Sequence, residues 1–194
     1  IFCMLGFLLT VLGQPTHAGD DLQTLLSAAA ADRRDGNWRR AITTLERAFL
    51  TQKRNDLARI AGELGVTYYQ AHRFDEAEAK LQYAYQNSLD SNERARFAND
   101  LGNLHASRGR SEEASRNFEE ARNGAGVELP MSLSARLNLA RLAPAEKRID
   151  QLAPIFEEIS ALSDPSQRAR YFLNLGNQAR TLGAPALKIA FESL

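Results

Sequence analysis

Small and large residues recur along this chain at an interval of 36 to 38 positions. Leu64-Gly65, Leu101-Gly102 and Leu175-Gly176 occupy equivalent places, and Leu139-Ala140 is a weaker member of the set. Ala41, Ala77 and Ala114 form a second set, spaced by 36 and 37 residues. A period in the mid-thirties with helical composition specifies stacked helix pairs. One pair cannot bury its own apolar face, so at least three must stack to be stable. Such an array is a binding surface and needs no catalytic residue. The pattern therefore predicts an all-α chain with about four or five helix pairs.

The units read as about 22–54, 57–89, 92–124, 131–162 and 165–194. In the first, Leu22, Leu25, Leu26 and Ala29 share one helical stripe, and Asp35-Gly36-Asn37 is a turn. Trp38, Ala41, Ile42, Leu45, Ala48 and Phe49 follow as the second stripe. The second unit repeats this with Ile60, Ala61, Leu64 and Tyr68, a turn at Ala71-His72-Arg73, then Phe74, Ala77, Leu81, Ala84 and Tyr85. Asp75 and Glu78 read as a capping pair, and so do Asp90 and Glu93 at the head of the third unit. Phe97, Ala98, Leu101, Leu104 and His105 form the next stripe. Gly109 ends that helix, Ser111 opens the next one with Ala114, Phe118 and Ala121, and Asn123-Gly124-Ala125-Gly126 breaks it.

The fourth unit is degenerate. Leu133, Leu137, Leu139 and Leu142 lead to a stop at Pro144, and Leu152 stands where earlier units have alanine. Pro154 is expected to restrict the start of its second helix. The fifth opens with Asp164-Pro165, a cap followed by proline in the first helical position. Tyr171, Phe172, Leu175 and Ala179 fill its first helix, and Phe191-Glu192-Ser193-Leu194 reads as a helix cut in mid-course.

Residues 1–18 stand apart, because they contain no Lys, Arg, Asp or Glu. Ile1 to Leu12 is apolar, and Gly13-Gln14-Pro15 precedes the small residues Thr16 and Ala18. This reads as an export signal that lacks its basic start, with a peptidase site near Ala18. The run is shorter than the roughly 20 residues of a spanning helix. An uncleaved anchor or a core helix is the competing reading. Residues 19–194 are then the helical domain, exported to the periplasm or secreted. The sole cysteine, Cys3, falls inside the apolar run, so the remainder has no thiol for a disulfide or a cysteine metal site.

Lys+Arg and Asp+Glu both number 24. That balance argues against a dedicated nucleic-acid binder, which would be basic.

The small positions have one mechanical purpose. Gly65, Gly102 and Gly176 let the first helix of a unit approach the second, with Ala41, Ala77 and Ala114 as the facing positions. These places resemble the tetratricopeptide repeat, whose pattern runs L-G-x-x-Y, then A-x-x-x-F, then A. Leu64-Gly65-x-x-Tyr68, Phe74, Ala77, Leu81 and Ala84 match it nearly in full. Leu101-Gly102, Gly109, Ala114, Phe118 and Ala121 match most of it. The usual proline at the end of each repeat is missing. The resemblance implies a right-handed superhelical solenoid whose concave groove binds a protein or peptide.

A narrower likeness lies in Ser134–Ala143 and Ala169–Asn177, which are similar to bacterial proteins that join such repeats to a caspase-like CHAT domain. That likeness implies an alternative in which this chain is the recognition arm of a larger peptidase. No catalytic residue carries over.

The resemblance places Arg59, Tyr69, Arg96, Asn99, Asn103, Asn174, Asn177 and Arg180 along the groove, with Glu63, Asn138 and Arg170 beside them. Asparagine and arginine suit a peptide backbone or a carboxylate. The same residues equally suit an ordinary solvated face with salt bridges between helices. The lysines of the carboxylate clamp in chaperone-binding relatives are missing.

Other chemistry is not indicated. His17, His72 and His105 are scattered, with no carboxylate at metal spacing. Ser91, Ser111 and Ser163 read as caps or loop residues, without a G-x-S-x-G elbow. Gly62-x-x-Gly65 lacks the Lys-Ser/Thr of a phosphate loop. Glu112-Glu113 and Glu119-Glu120 read as a solvated helix face, and Trp38, Tyr68, Tyr83 and Tyr85 as core. No catalytic residue, cofactor or metal is expected.

Overall fold

A computed structural model describes the backbone over residues 21–124 and 128–182. The helix before the expected Asn123–Gly126 break ends at Asn123 with Gly124 after it; the rest of that break, the expected export signal and the last helix after 182 lie outside the described residues. Within them the chain is all-α, with no strand. The helices are α1 (Leu22–Arg34), α2 (Trp38–Thr51), α3 (Leu57–Gln70), α4 (Phe74–Asn87) and α5 (Ser91–Ser107). They continue with α6 (Ser111–Asn123), α7 (Leu129–Leu142), α8 (Ala145–Ser160) and α9 (Pro165–Leu182). A 3₁₀ turn, Arg54–Asp56, precedes α3.

Each helix packs on the next one in the chain, most heavily within the pairs α3–α4 and α5–α6. The odd-numbered helices also meet one another, α1 on α3, α3 on α5, α5 on α7 and α7 on α9. Three-residue turns fold the first three pairs into hairpins. Gly36 and Gly109 hold φ of +74° and +73° in two of these turns, and His72 takes the same left-handed conformation at +59° in the other. Glycine suits that conformation because a Cβ would crowd the following carbonyl.

The close approaches expected from the small residues are present in units two and three. A Cβ on Gly65 would lie 2.6 Å from Leu81 Cγ and 3.0 Å from its backbone nitrogen. A Cβ on Gly102 would lie 2.4 Å from the Phe118 ring. Gly176 differs: nothing described lies within 4 Å of its added Cβ, and the helix expected to face it is outside the described residues.

Two further details correct the sequence reading. Asp75 does not cap α4; Arg73 holds that place without a side-chain cap bond. The helix begins two residues too early for Asp75, which pairs instead with Arg108 at 2.7 Å. Asp90 does cap α5, accepting from the Glu93 amide at 2.8 Å. Pro154 lies inside α8 rather than at its start, because the helix already begins after Pro144. Its missing N–H leaves the Asp150 carbonyl without a helical donor, and both residues are exposed, so water can take that place.

The apolar interior is discontinuous. One core joins α1 to α5 through residues such as Leu45, Ile60, Leu64, Leu81 and Leu104. A second joins α7, α8 and α9 through Leu133, Leu137, Leu152, Ile155, Phe156, Ile159 and Leu175. Between them lies a small contact of Ala98, Ala121 and Ala135. In α7 the buried stripe is Leu133, Leu137 and Ala140, so Leu139 is only half-buried although its equivalents Leu64 and Leu101 are buried. The α7–α8 contact is thin, and Leu139 and Leu142 line a cleft of about 640 Å³ between α6, α7 and α8.

Candidate functional site

The first helices of the units share a polar face. Its groups come from helix positions three, four or seven apart, which lie on one side of a helix. On α3 these are Arg59 and Glu63; on α5, Arg96, Asp100 and Asn103; on α7, Asn138 and Arg141. Most of these groups are cross-linked to the next odd-numbered helix.

The Glu63 carboxylate is the busiest node. It accepts from Arg96 of α5 at 2.8 Å and meets Arg33 of α1 at 2.8 Å. The two guanidiniums outweigh burial and hold its carboxyl below the usual range. Two like cations share one anion here, an arrangement that leaves local positive charge. Asp100 stands one turn beyond Arg96. It feels Arg96 and Arg33, which favour its ionised form, and Glu63, which opposes it. Burial dominates and pushes the Asp100 carboxyl up to about 7.

The other candidates fall into three groups. Asn99 is buried and accepts from Asn138 Nδ2 at 2.9 Å, a closed pair between α5 and α7. Asn103 accepts from Arg141 at 3.0 Å, on the exposed side of the same junction. Arg59 reaches only the Gln23 amide oxygen of α1, at 3.4 Å, and is exposed. Tyr69 is half-buried against Phe74, with ring centroids 6.0 Å apart. Asn174, Asn177 and Arg180 belong to α9, and their side chains lie outside the described residues.

Asp100 is the residue that sequence reading passed over. It lies 37 positions after Glu63, one repeat on, and four after Arg96. Those two spacings were the available signal.

The histidines hold no constellation. His105 is buried, and burial together with nearby Arg110 pushes its imidazole down. His72 stacks edge-on to Phe74 with centroids 5.8 Å apart. Among the described residues no group of three or more His, Cys, Asp or Glu could hold a metal ion. No described helix is long and apolar enough to cross a membrane. Tyr68 is a core residue whose hydroxyl donates to Glu46 at 2.5 Å.

No protein-family model matches this chain, and no curated protein matches it.

Proposed function

We propose that the chain is a tetratricopeptide-type solenoid, exported from its cell, whose odd-helix face forms a concave groove for a protein or peptide segment. The observation that carries this reading is the recurrence of one hairpin with the same parts. Gly65 on Leu81 and Gly102 on Phe118 are the same close approach one repeat apart. Gly36, His72 and Gly109 are the same left-handed turn residue. Repetition of one unit generates a continuous strip of side chains from successive first helices. That strip is polar and accessible at Arg59, Arg96 and Asn103, and extended partners are gripped by such rows of hydrogen-bonding and charged groups.

The test is a peptide-display selection against the 194-residue chain, followed by affinity measurement on the enriched peptides. Arg59→Ala combined with Asn103→Ala should weaken them at least fivefold. Glu112→Ala, on the far helix of the third unit, should leave them unchanged. Equal affinity across all three proteins overturns the groove assignment.

A further inference from the structure

We infer that the cleft between α6, α7 and α8 docks a short amphipathic helix of a partner protein. That helix presents a leucine-type ridge with a cation on one flank and an anion on the other. The cleft uses none of the groove residues, so this site does not rest on the groove reading.

The cleft arises where the repeat departs from its own pattern. In units two and three the second helix meets a glycine of the first, Leu81 on Gly65 and Phe118 on Gly102. In unit four Ala140 replaces the glycine and Leu152 replaces the facing alanine. α8 then packs thinly on α7, and a space of about 640 Å³ opens beside them against α6. Leu139 and Leu142 form its floor, half-buried, whereas Leu64 and Leu101 are buried. Apolar side chains left open in this way gain free energy when another apolar group covers them.

The walls differ in charge. Glu112 and Glu119, seven residues apart and on one side of α6, form the first wall. Lys147 and Gln151, four residues apart on one side of α8, form the second. Glu119 is already held by Arg122 at 2.5 Å. Glu112 and Lys147 are exposed, and among the described residues neither has an ion-pair partner. The α6 wall thus offers an uncommitted anion and the α8 wall an uncommitted cation.

The lining decides the form of the occupant. All three elements around the cleft are helices, whose inner backbone groups bond to one another. An extended peptide on this floor would leave its own N–H and C=O groups unmet. A helix satisfies them internally and sets side chains at i, i+3, i+4 and i+7 against the leucines. Its flanks then meet the walls, a Lys or Arg reaching Glu112 and a Glu or Asp reaching Lys147. Flanks of one sign would set like charge against one wall, so the charges select the partner while the floor supplies the attraction.

The experiment uses stapled, fluorescein-labelled helices of two heptads, about 14 residues, with leucine at a and d. The staple sits on the outer face, because free helices of that length are marginal in water. One helix carries Lys on one flank and Glu on the other, one carries Lys on both, and one carries Glu on both. A fourth has the mixed flanks with serine in place of leucine. Anisotropy is read on the full chain. The mixed helix should bind roughly fivefold tighter than either single-sign helix, the scale of one rim charge pair. The serine helix should not bind. Lys147→Glu, a change at an exposed position, should make the Lys-flanked helix the tightest. Glu112→Ala should weaken the mixed helix, and Arg59→Ala with Asn103→Ala should leave it unchanged, the reverse of the pattern for groove peptides. An unaltered ranking in Lys147→Glu, equal binding of the three leucine helices, or no binding by any of them overturns the inference and leaves the groove reading standing. Self-association of the chain in sedimentation that Lys147→Glu disperses means that a second copy fills the cleft, and overturns it as well.

Discussion

A Cβ placed on Gly62 would sit 2.0 Å from Cε1 of Phe97, a buried ring on α5. The contact joins the second unit to the third, so this glycine sets the spacing between units rather than within one. Gly62→Ala should force the Phe97 ring or the α3–α5 spacing to give way. The expected loss is about 1–3 kcal/mol, measured by urea unfolding. The pair should be coupled: with Phe97→Leu in the background, the added cost of Gly62→Ala should shrink. Full additivity would show that the ring is not what the new methyl meets.

The buried Asn99–Asn138 bond makes a second, signed prediction. Asn99→Leu leaves the Asn138 amide without its acceptor and should cost about 1–3 kcal/mol. Replacing both asparagines with leucine removes the orphaned group and should recover most of that loss. A double variant as unstable as the single one would contradict the pairing.

Gly36 and Gly109 have open space around an added Cβ, so any cost of Ala there comes from backbone conformation alone. Gly109→Ala should lower stability by about 1 kcal/mol, and Gly36→Ala by a similar amount. Hydrogen exchange should speed up locally, at the ends of α5 and α6 for the first and of α1 and α2 for the second.

Asp100 also predicts the pH dependence of stability. Its folded-state carboxyl titrates at about 7, against an ordinary value of 3.8. Between those values the folded chain binds the proton more tightly than the unfolded chain. The protonated form's advantage is therefore lost as pH rises toward about 7. His105, pushed down by burial, works in the opposite sense in part of that range. The diagnostic is the difference between wild type and Asp100→Asn. The stability gap should move in favour of the variant from about pH 5 to about pH 7.5. A gap that stays constant would refute the shifted titration.

The sequence made the hairpins legible because helix pairing here depends on residue size at fixed spacing. Gly65 and Gly102 mark their crossings, and Gly36 and Gly109 mark their turns, without knowledge of distant contacts. The polar face was legible only as a set of positions. Asn99 looked like a groove residue, yet its partner Asn138 lies 39 residues away. No local periodicity specifies such a pair. Arg96 had the right place, but its role as half of a two-arginine grip on Glu63 depends on three helices converging. The fourth unit misled for a related reason. With Leu152 in place of the small residue, α8 packs less extensively on α7 than the second helices of units two and three do on their first, and Leu139 is only half-buried. Pro154 then sits mid-helix on an exposed side, where its missing donor faces solvent.

The break between the two apolar interiors has a consequence for how the molecule comes apart. Residues 25–104 and 133–175 are each held by their own large side chains. Among the described residues the gap is bridged by Ala98, Ala121 and Ala135 with Tyr85 packed beside them, and by polar pairs, so less cooperativity passes across it than within either core. Heating should release the α7–α9 segment first and leave α1–α5 folded, giving a calorimetric trace with a leading shoulder instead of one symmetric peak.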